Sequence, residues 1–245
     1  MNNLFFLFSV VLLSNYCLVS CTGSDSAASH PRTADEVARA IEKAIHKDDW
    51  DNTQWISWTF PGNRQHLLDR ERGYAEVKWG DYKALIDVNT QKGIVYHNDG
   101  IVEGKLGDSL IQRAWGTHIN DAFWLNAPAK LYDEGTQRSL VQRDGDTLLK
   151  VEYTTGGVTP GDSYIWHFDE NFQPTAWEMY VSVIPTPGAK STWENWVTLE
   201  SGARIATHHY NEAGRLTEIK GVKSGNSYKD FGREEDPFSK LISNN

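Results

Sequence analysis

Val37, Ala38, Ile41, Ala44 and Ile45 share one face at helical spacing, directly after Thr33-Ala34-Asp35-Glu36. That tetrad fits a capping box, in which the Thr33 hydroxyl accepts an N–H of the first turn and Glu36 reaches back. His46 and Lys47 fall in the last turn, where the helix dipole favours positive charge. Beyond Asp51 the period drops to two. Ile56, Trp58 and Phe60 face one way and Thr53, Ser57 and Thr59 the other. Ala75, Val77 and Trp79 alternate with Tyr74, Glu76 and Lys78. Gly80-Asp81 supplies a two-residue turn, and Tyr82, Ala84, Ile86 and Val88 continue against Lys83 and Asp87. Ile94 to His97 adds another strand. The alternation predicts an antiparallel meander with one buried face.

A second helix interrupts the strands. Leu106, Leu110, Ala114 and His118 share its face, with Ile111 and Trp115 beside them, and it ends near Phe123-Trp124 before Pro128. Strands resume after the turn at Asp144-Gly145: Leu149 to Tyr153, Tyr164 to Phe168, Trp177 to Val183, Trp193 to Leu199, Ile205 to Tyr210 and Leu216 to Lys220. Pro185-Thr186-Pro187-Gly188 breaks this run. The fold class is therefore α+β. About ten or eleven antiparallel strands form a strongly curved, unclosed β-barrel, with two helices burying their stripes on its concave side.

The N-terminus changes the picture. Leu4 to Leu13 is an apolar run about half the length of a membrane-spanning helix, which is the length of a signal-peptide core. Leu18-Val19-Ser20-Cys21 resembles the bacterial lipobox, in which the chain is cut before the cysteine and the thiol takes a diacylglycerol. The expected organisation is a signal peptide at 1–20, a lipidated tether at 21–32, one domain at 33–223 and a polar C-terminal tail at 224–245. Cys17 leaves with the signal, so no disulfide framework remains. Acyl chains at Cys21 would hold the chain on a membrane, at about 0.8 kcal/mol per buried CH₂. Thr22, in place of the Asp that resembles an inner-membrane retention signal, points to the outer membrane, facing the periplasm. The net charge of −9, with no basic stripe, argues against a nucleic-acid partner.

The order of elements, lipobox and tether, helix, strands, helix with an aromatic end and long meander, resembles the LolA/LolB-like superfamily. Two stretches carry the resemblance: Phe123-Trp-Leu-Asn-Ala-Pro-Ala-Lys-Leu-Tyr-Asp-Glu-Gly-Thr136, and Trp193-Glu-Asn-Trp196 with Ser201 to His208. It implies an unclosed half-barrel that binds acyl chains or other apolar ligands in its concave face. In carrying an anchor the chain is similar to LolB, although no hydrophobic finger loop stands out.

Ten tryptophans are the compositional departure. Trp58, Trp79, Trp166 and Trp177 fall on the apolar faces of their strands. With Trp124, and with Met179 as an adaptable filler, they are the expected lining of a pocket for an apolar small molecule or lipid. The same rings could instead fill a core. A second possibility is a hydrolytic or metal-assisted enzyme built on His97 with Asp99, His118 with Asp121, or His167 with Asp169. His208 and His209 are adjacent on a strand and point to opposite faces, so they do not share a metal. No Gly-x-Ser-x-Gly, phosphate loop or dinucleotide fingerprint occurs, and no metal, cofactor or catalytic residue is assigned. Glu178 and Glu194 form a carboxylate pair only if the pocket lies on the face opposite the apolar residues. A third possibility is a structural envelope lipoprotein. The sequence does not fix the oligomeric state.

Overall fold

The computed structural model describes residues 33–183 and 186–242. The predicted signal peptide, Cys21 and the tether lie outside the described residues. The first helix, α1 (Ala34–Ala44), opens with the expected capping box: the Glu36 N–H donates to Thr33 Oγ1 at 3.2 Å, and the Thr33 N–H donates to Glu36 Oε2 at 2.8 Å. Its apolar stripe buries Val37, Ala38 and Ile41. The helix does not run on through Lys47. His46 takes a left-handed backbone (φ 56°), and Lys47 opens a separate short helix, α2 (Lys47–Asp51).

Six strands follow: β1 (Trp55–Phe60), β2 (Arg64–Asp69), β3 (Tyr74–Trp79), β4 (Tyr82–Asp87), β5 (Lys92–His97) and β6 (Gly100–Ile101). Helix α3 (Gly104–Asn126) comes next. After it run β7 (Thr136–Arg143), β8 (Asp146–Tyr153), β9 (Ser163–Phe168), β10 (Pro174–Tyr180) and β11 (Ala189–Thr192). The last strands are β12 (Glu194–Thr198), β13 (Arg204–Tyr210), β14 (Leu216–Glu218) and β15 (Lys220–Gly225), followed by α4 (Ser239–Ile242). Both predicted tight turns are present. Gly80 and Asp81 join β3 to β4, with Trp79 opposite Tyr82. Asp144 (φ 54°) and Gly145 (φ 94°) both sit in the left-handed region, which matches the twist of a two-residue hairpin.

The architecture is α+β and every strand pairing is antiparallel, but the strands number fifteen among the described residues, more than expected. They form three sheets, ordered β15-β1-β2-β3-β4-β5-β6, β11-β10-β9-β8-β7 and β12-β13-β14. The five-stranded and three-stranded sheets follow the β1–β6 meander along the chain, and β15 returns to pair with β1. Only Ile219 separates β14 from β15, and a bridge between Ser191 and Asn211 joins β11 to the end of β13. The terminal strands β6 and β7 do not pair, so the succession is not closed into a barrel.

Helix α3 packs Leu110 and Ala114 on Ala75, Val77, Ala84, Ile86 and Val95 of the seven-stranded sheet. Leu106, expected on the same stripe, is 61% exposed. It lies in the first turn, before the helix reaches the sheet. The opposite face of this sheet is buried too. Trp55, Leu67, Leu85 and Tyr96 pack there against Phe238 and Leu241. Residues 224–242, expected as a polar tail, are therefore part of the packed structure. Ser224 and Gly225 end β15, and Arg72 holds Asp236 through two hydrogen bonds of 2.6 and 3.1 Å.

Candidate functional site

The tryptophans expected to line an open concave face are mostly interior. Trp166 and Trp177 are fully enclosed, their ring centres 5.3 Å apart, and Trp193 stands within 5.3 Å of both. Met179 is buried in the same cluster, and Trp124 meets Trp177 edge to face at 5.1 Å. Trp58 is buried in a second cluster and Trp79 is half-buried, stacked on Tyr82 at 5.5 Å. An indole is large enough for a few of them to fill the space between helices and sheet. Offset and edge-to-face contacts let them do so favourably. The space that the aromatic pattern predicted as a ligand hollow is occupied here by the rings themselves.

A cavity of about 410 Å³ opens at the edge of this cluster. Its apolar wall is Ile119, Ala122 and Phe123 from α3, Tyr153 from the end of β8, Tyr164 from β9, and Val158. Three of these rings meet: Phe123 lies 5.4 Å from Tyr153 and 5.1 Å from Tyr164, and the two tyrosines are 5.8 Å apart and nearly perpendicular. Behind them Trp177 stacks on Tyr164 at 4.8 Å. The β8–β9 connection also lines the cavity, and in it Gly156 and Gly157 take positive φ angles. The loop is closed at its base by two hydrogen bonds, Tyr153 N–H to the Asp162 carbonyl at 2.9 Å and Gly161 N–H to the Tyr153 carbonyl at 2.7 Å. Lys130, Asp133, Glu134 and Asp162 supply the ionisable groups of the lining.

The Tyr153 hydroxyl is enclosed and has no hydrogen-bond partner in the protein. A buried polar atom in that state carries a desolvation cost of about 1–3 kcal/mol. Burial pushes its phenol well above the ordinary range, and the charges of Asp133 and Glu42 push the same way. Burial also raises the Tyr164 phenol, with Asp162 adding to the shift.

On its other flank α3 carries a buried polar network, and the expected pairing of His118 with Asp121, three positions on, is not the one it makes. The structure instead joins Asp121 to β2. Arg64 grips both carboxylate oxygens, Nε to Oδ2 at 2.7 Å and Nη2 to Oδ1 at 2.8 Å, and His66 Nε2 lies 3.0 Å from Oδ2. His118 Nδ1 stands 3.4 Å from His66 Nδ1, and Trp58 stacks on His66 at 4.6 Å. Burial favours the protonated acid at Asp121, but the hydrogen bonds from Arg64 and His66 hold its carboxyl below the usual range. Burial lowers His66, and pushes His118 down to about 3 with help from the neighbouring His66. The His66 and Asp121 side chains are wholly enclosed, so this cluster meets no solvent-borne molecule at those groups.

The remaining expected pairs do not assemble. His97 is exposed and stacks on Tyr82 at 4.6 Å. His167 Nε2 meets Glu178 Oε1 at 2.8 Å rather than Asp169, whose carboxylate accepts backbone N–H groups of Asn171 and Gln173. Glu178 is also bound by Arg143 and lies on β10, whereas Glu194 lies on β12 of another sheet. Among the described residues no group of three or more His, Cys, Asp or Glu side chains is arranged to hold a metal ion.

No family model matches the chain, and no curated protein matches it. Among solved structures it is similar to a DUF1329 family protein from Desulfovibrio piger. The identity is 13% and the TM-score 0.39, over 80% of this chain and 96% of that one.

Proposed function

We propose that this protein is an envelope lipoprotein of half-barrel type, anchored through Cys21 on the outer membrane, that holds one small amphipathic molecule without covalent chemistry. The observation that carries the reading is the cavity of about 410 Å³ walled by Ile119, Ala122, Phe123, Tyr153, Val158 and Tyr164. Its 410 Å³ falls within the range of small-molecule sites, and a mostly apolar wall with a few polar groups is their usual make-up. Removing a ligand's apolar area from water at roughly 25 cal/mol per Å² supplies the driving force. The succession of unclosed antiparallel sheets around α1 and α3 supports the half-barrel reading. The apolar leader and the Leu18-Val19-Ser20-Cys21 motif support the anchor.

The site is tested by titrating the soluble domain with decyl glucoside below its micellar concentration, followed by calorimetry. Saturable binding at one site is expected, and Ile119→Trp should abolish it by filling the cavity while leaving thermal unfolding cooperative. Absence of saturable binding, or binding indifferent to that substitution, overturns the reading.

A further inference from the structure

We infer that the cavity sorts amphiphiles by the charge of their head, accepting an alkylammonium and disfavouring a carboxylate; this rests on the binding reading above. Three carboxylates, Asp133, Glu134 and Asp162, line the cavity against one ammonium, Lys130. That ammonium is already engaged, because Lys130 forms an ion pair with Asp133. Asp162 takes its hydrogen bonds from neutral donors, the Ser182 N–H at 3.0 Å and the Thr159 hydroxyl. Glu134 forms no ion pair among the described residues. Two negative charges at the lining are therefore left without a cation beside them.

The aromatic wall has the same preference. Phe123, Tyr153 and Tyr164 make the wall aromatic, and an aromatic face attracts an alkylammonium and repels a carboxylate. Burial is the main cause of the raised phenols of Tyr153 and Tyr164, and nearby carboxylates add to both shifts. A fatty acid, the simplest acyl ligand, would place its carboxylate against this lining with no free cation to meet it.

The experiment compares decylammonium, decyl glucoside and decanoate at pH 7.5, each below its micellar concentration. Only binding that Ile119→Trp abolishes is counted, because the net charge of −9 attracts cations to the whole surface. Decylammonium should bind about tenfold more tightly than decanoate, with the glucoside between them. Glu134→Gln, at an exposed position that leaves the fold intact, should narrow that ratio. Decanoate binding as tightly as decylammonium, or more so, overturns the head-charge inference while the cavity reading stands. If none of the three binds in an Ile119-dependent way, the cavity reading itself falls.

Discussion

His66 and Asp121 stand 55 positions apart in the chain and meet in the interior, imidazole Nε2 3.0 Å from carboxylate Oδ2. The contact fixes the protons of its neighbours. A carboxylate only accepts, so His66 donates from Nε2 and presents a bare Nδ1. His118 then donates its Nδ1 hydrogen to that atom, 3.4 Å away. The result is one directed chain from His118 through His66 to Asp121, with Arg64 closing the other side. Asp121→Asn breaks it by leaving the guanidinium and the imidazole without a charged acceptor. Losing one member of a buried ion pair costs about 3–5 kcal/mol, and urea unfolding should show a loss of that order. A loss below 1 kcal/mol would mean that the network does not tie α3 to β2.

The same network makes the fold sensitive to acid. His66, His118 and His209 all have imidazoles held below 6.5 by burial, His118 at about 3 and His209 at about 4. The unfolded chain therefore takes up protons below pH 6.5 that the native state refuses. The stability these imidazoles contribute is full above that pH and falls as pH drops toward 4 and then 3. Asp121, also depressed, adds a loss of the same sign at the acid end. Scanning calorimetry from pH 7 to pH 4 should show Tm falling steadily, and His118→Leu should flatten the slope. An unchanged slope in that variant would contradict the assignment.

Trp166 is enclosed on all sides and shares its space with Trp177 and Trp193. Trp166→Ala opens a void that rigid neighbouring rings cannot collapse into, at a cost of about 3–5 kcal/mol. Phe123→Leu, at the cavity wall, keeps most of the buried volume and should cost less than about 1.5 kcal/mol. Chemical denaturation of the two variants separates core rings from cavity rings. Equal losses would place the cavity wall inside the core.

Phe238 is fully buried against Trp55, ring centres 5.7 Å apart, and Tyr74, at 5.8 Å. It covers the outer face of the seven-stranded sheet, and Arg72 secures the segment by holding Asp236. Phe238→Ala should destabilise the protein by about 3–5 kcal/mol. It should also redden tryptophan emission as Trp55 meets water. Neither change would be seen if the C-terminal segment were a loose tail.

What the sequence revealed and concealed follows from the range of the forces involved. The capping box at Thr33, the α1 stripe and the turns at Gly80-Asp81 and Asp144-Gly145 are local, and each is present. Strand β2 was hidden. Arg64 and His66 carry no local signal of burial, and their place is set by Asp121, which reaches them from α3. The burial of Trp55 depends on Phe238, which is far along the chain and set among charges that mask it. The tryptophan pattern was legible as an aromatic interior. Whether that interior was empty depended on how rings from α3, β9, β10 and Trp193 interdigitate, which periodicity does not record. The cavity wall was missed because Tyr153 and Tyr164 looked like ordinary strand residues beside larger indoles.

Glu42 provides a pH response of the opposite sign. It projects from α1 with Oε1 enclosed and unpartnered, and burial raises its carboxyl from 4.5 to about 7. Lys47 and Arg138 oppose that shift, while Asp51 and Asp133 reinforce it. A carboxyl raised in the native state binds its proton more tightly there than in the unfolded chain. Its contribution is complete below pH 4.5 and disappears as pH rises through 7. Above pH 7 the native protein bears a partly buried, uncompensated charge. Glu42→Gln keeps the shape and cannot ionise, so the variant should match the parent near pH 5 and exceed it in Tm at pH 8. Thermal melts of both proteins across that interval measure the difference directly. A gap that shrinks toward alkaline pH would show that Glu42 is charged and satisfied in the native state, and that the interior beside α1 is more polar than its packing indicates.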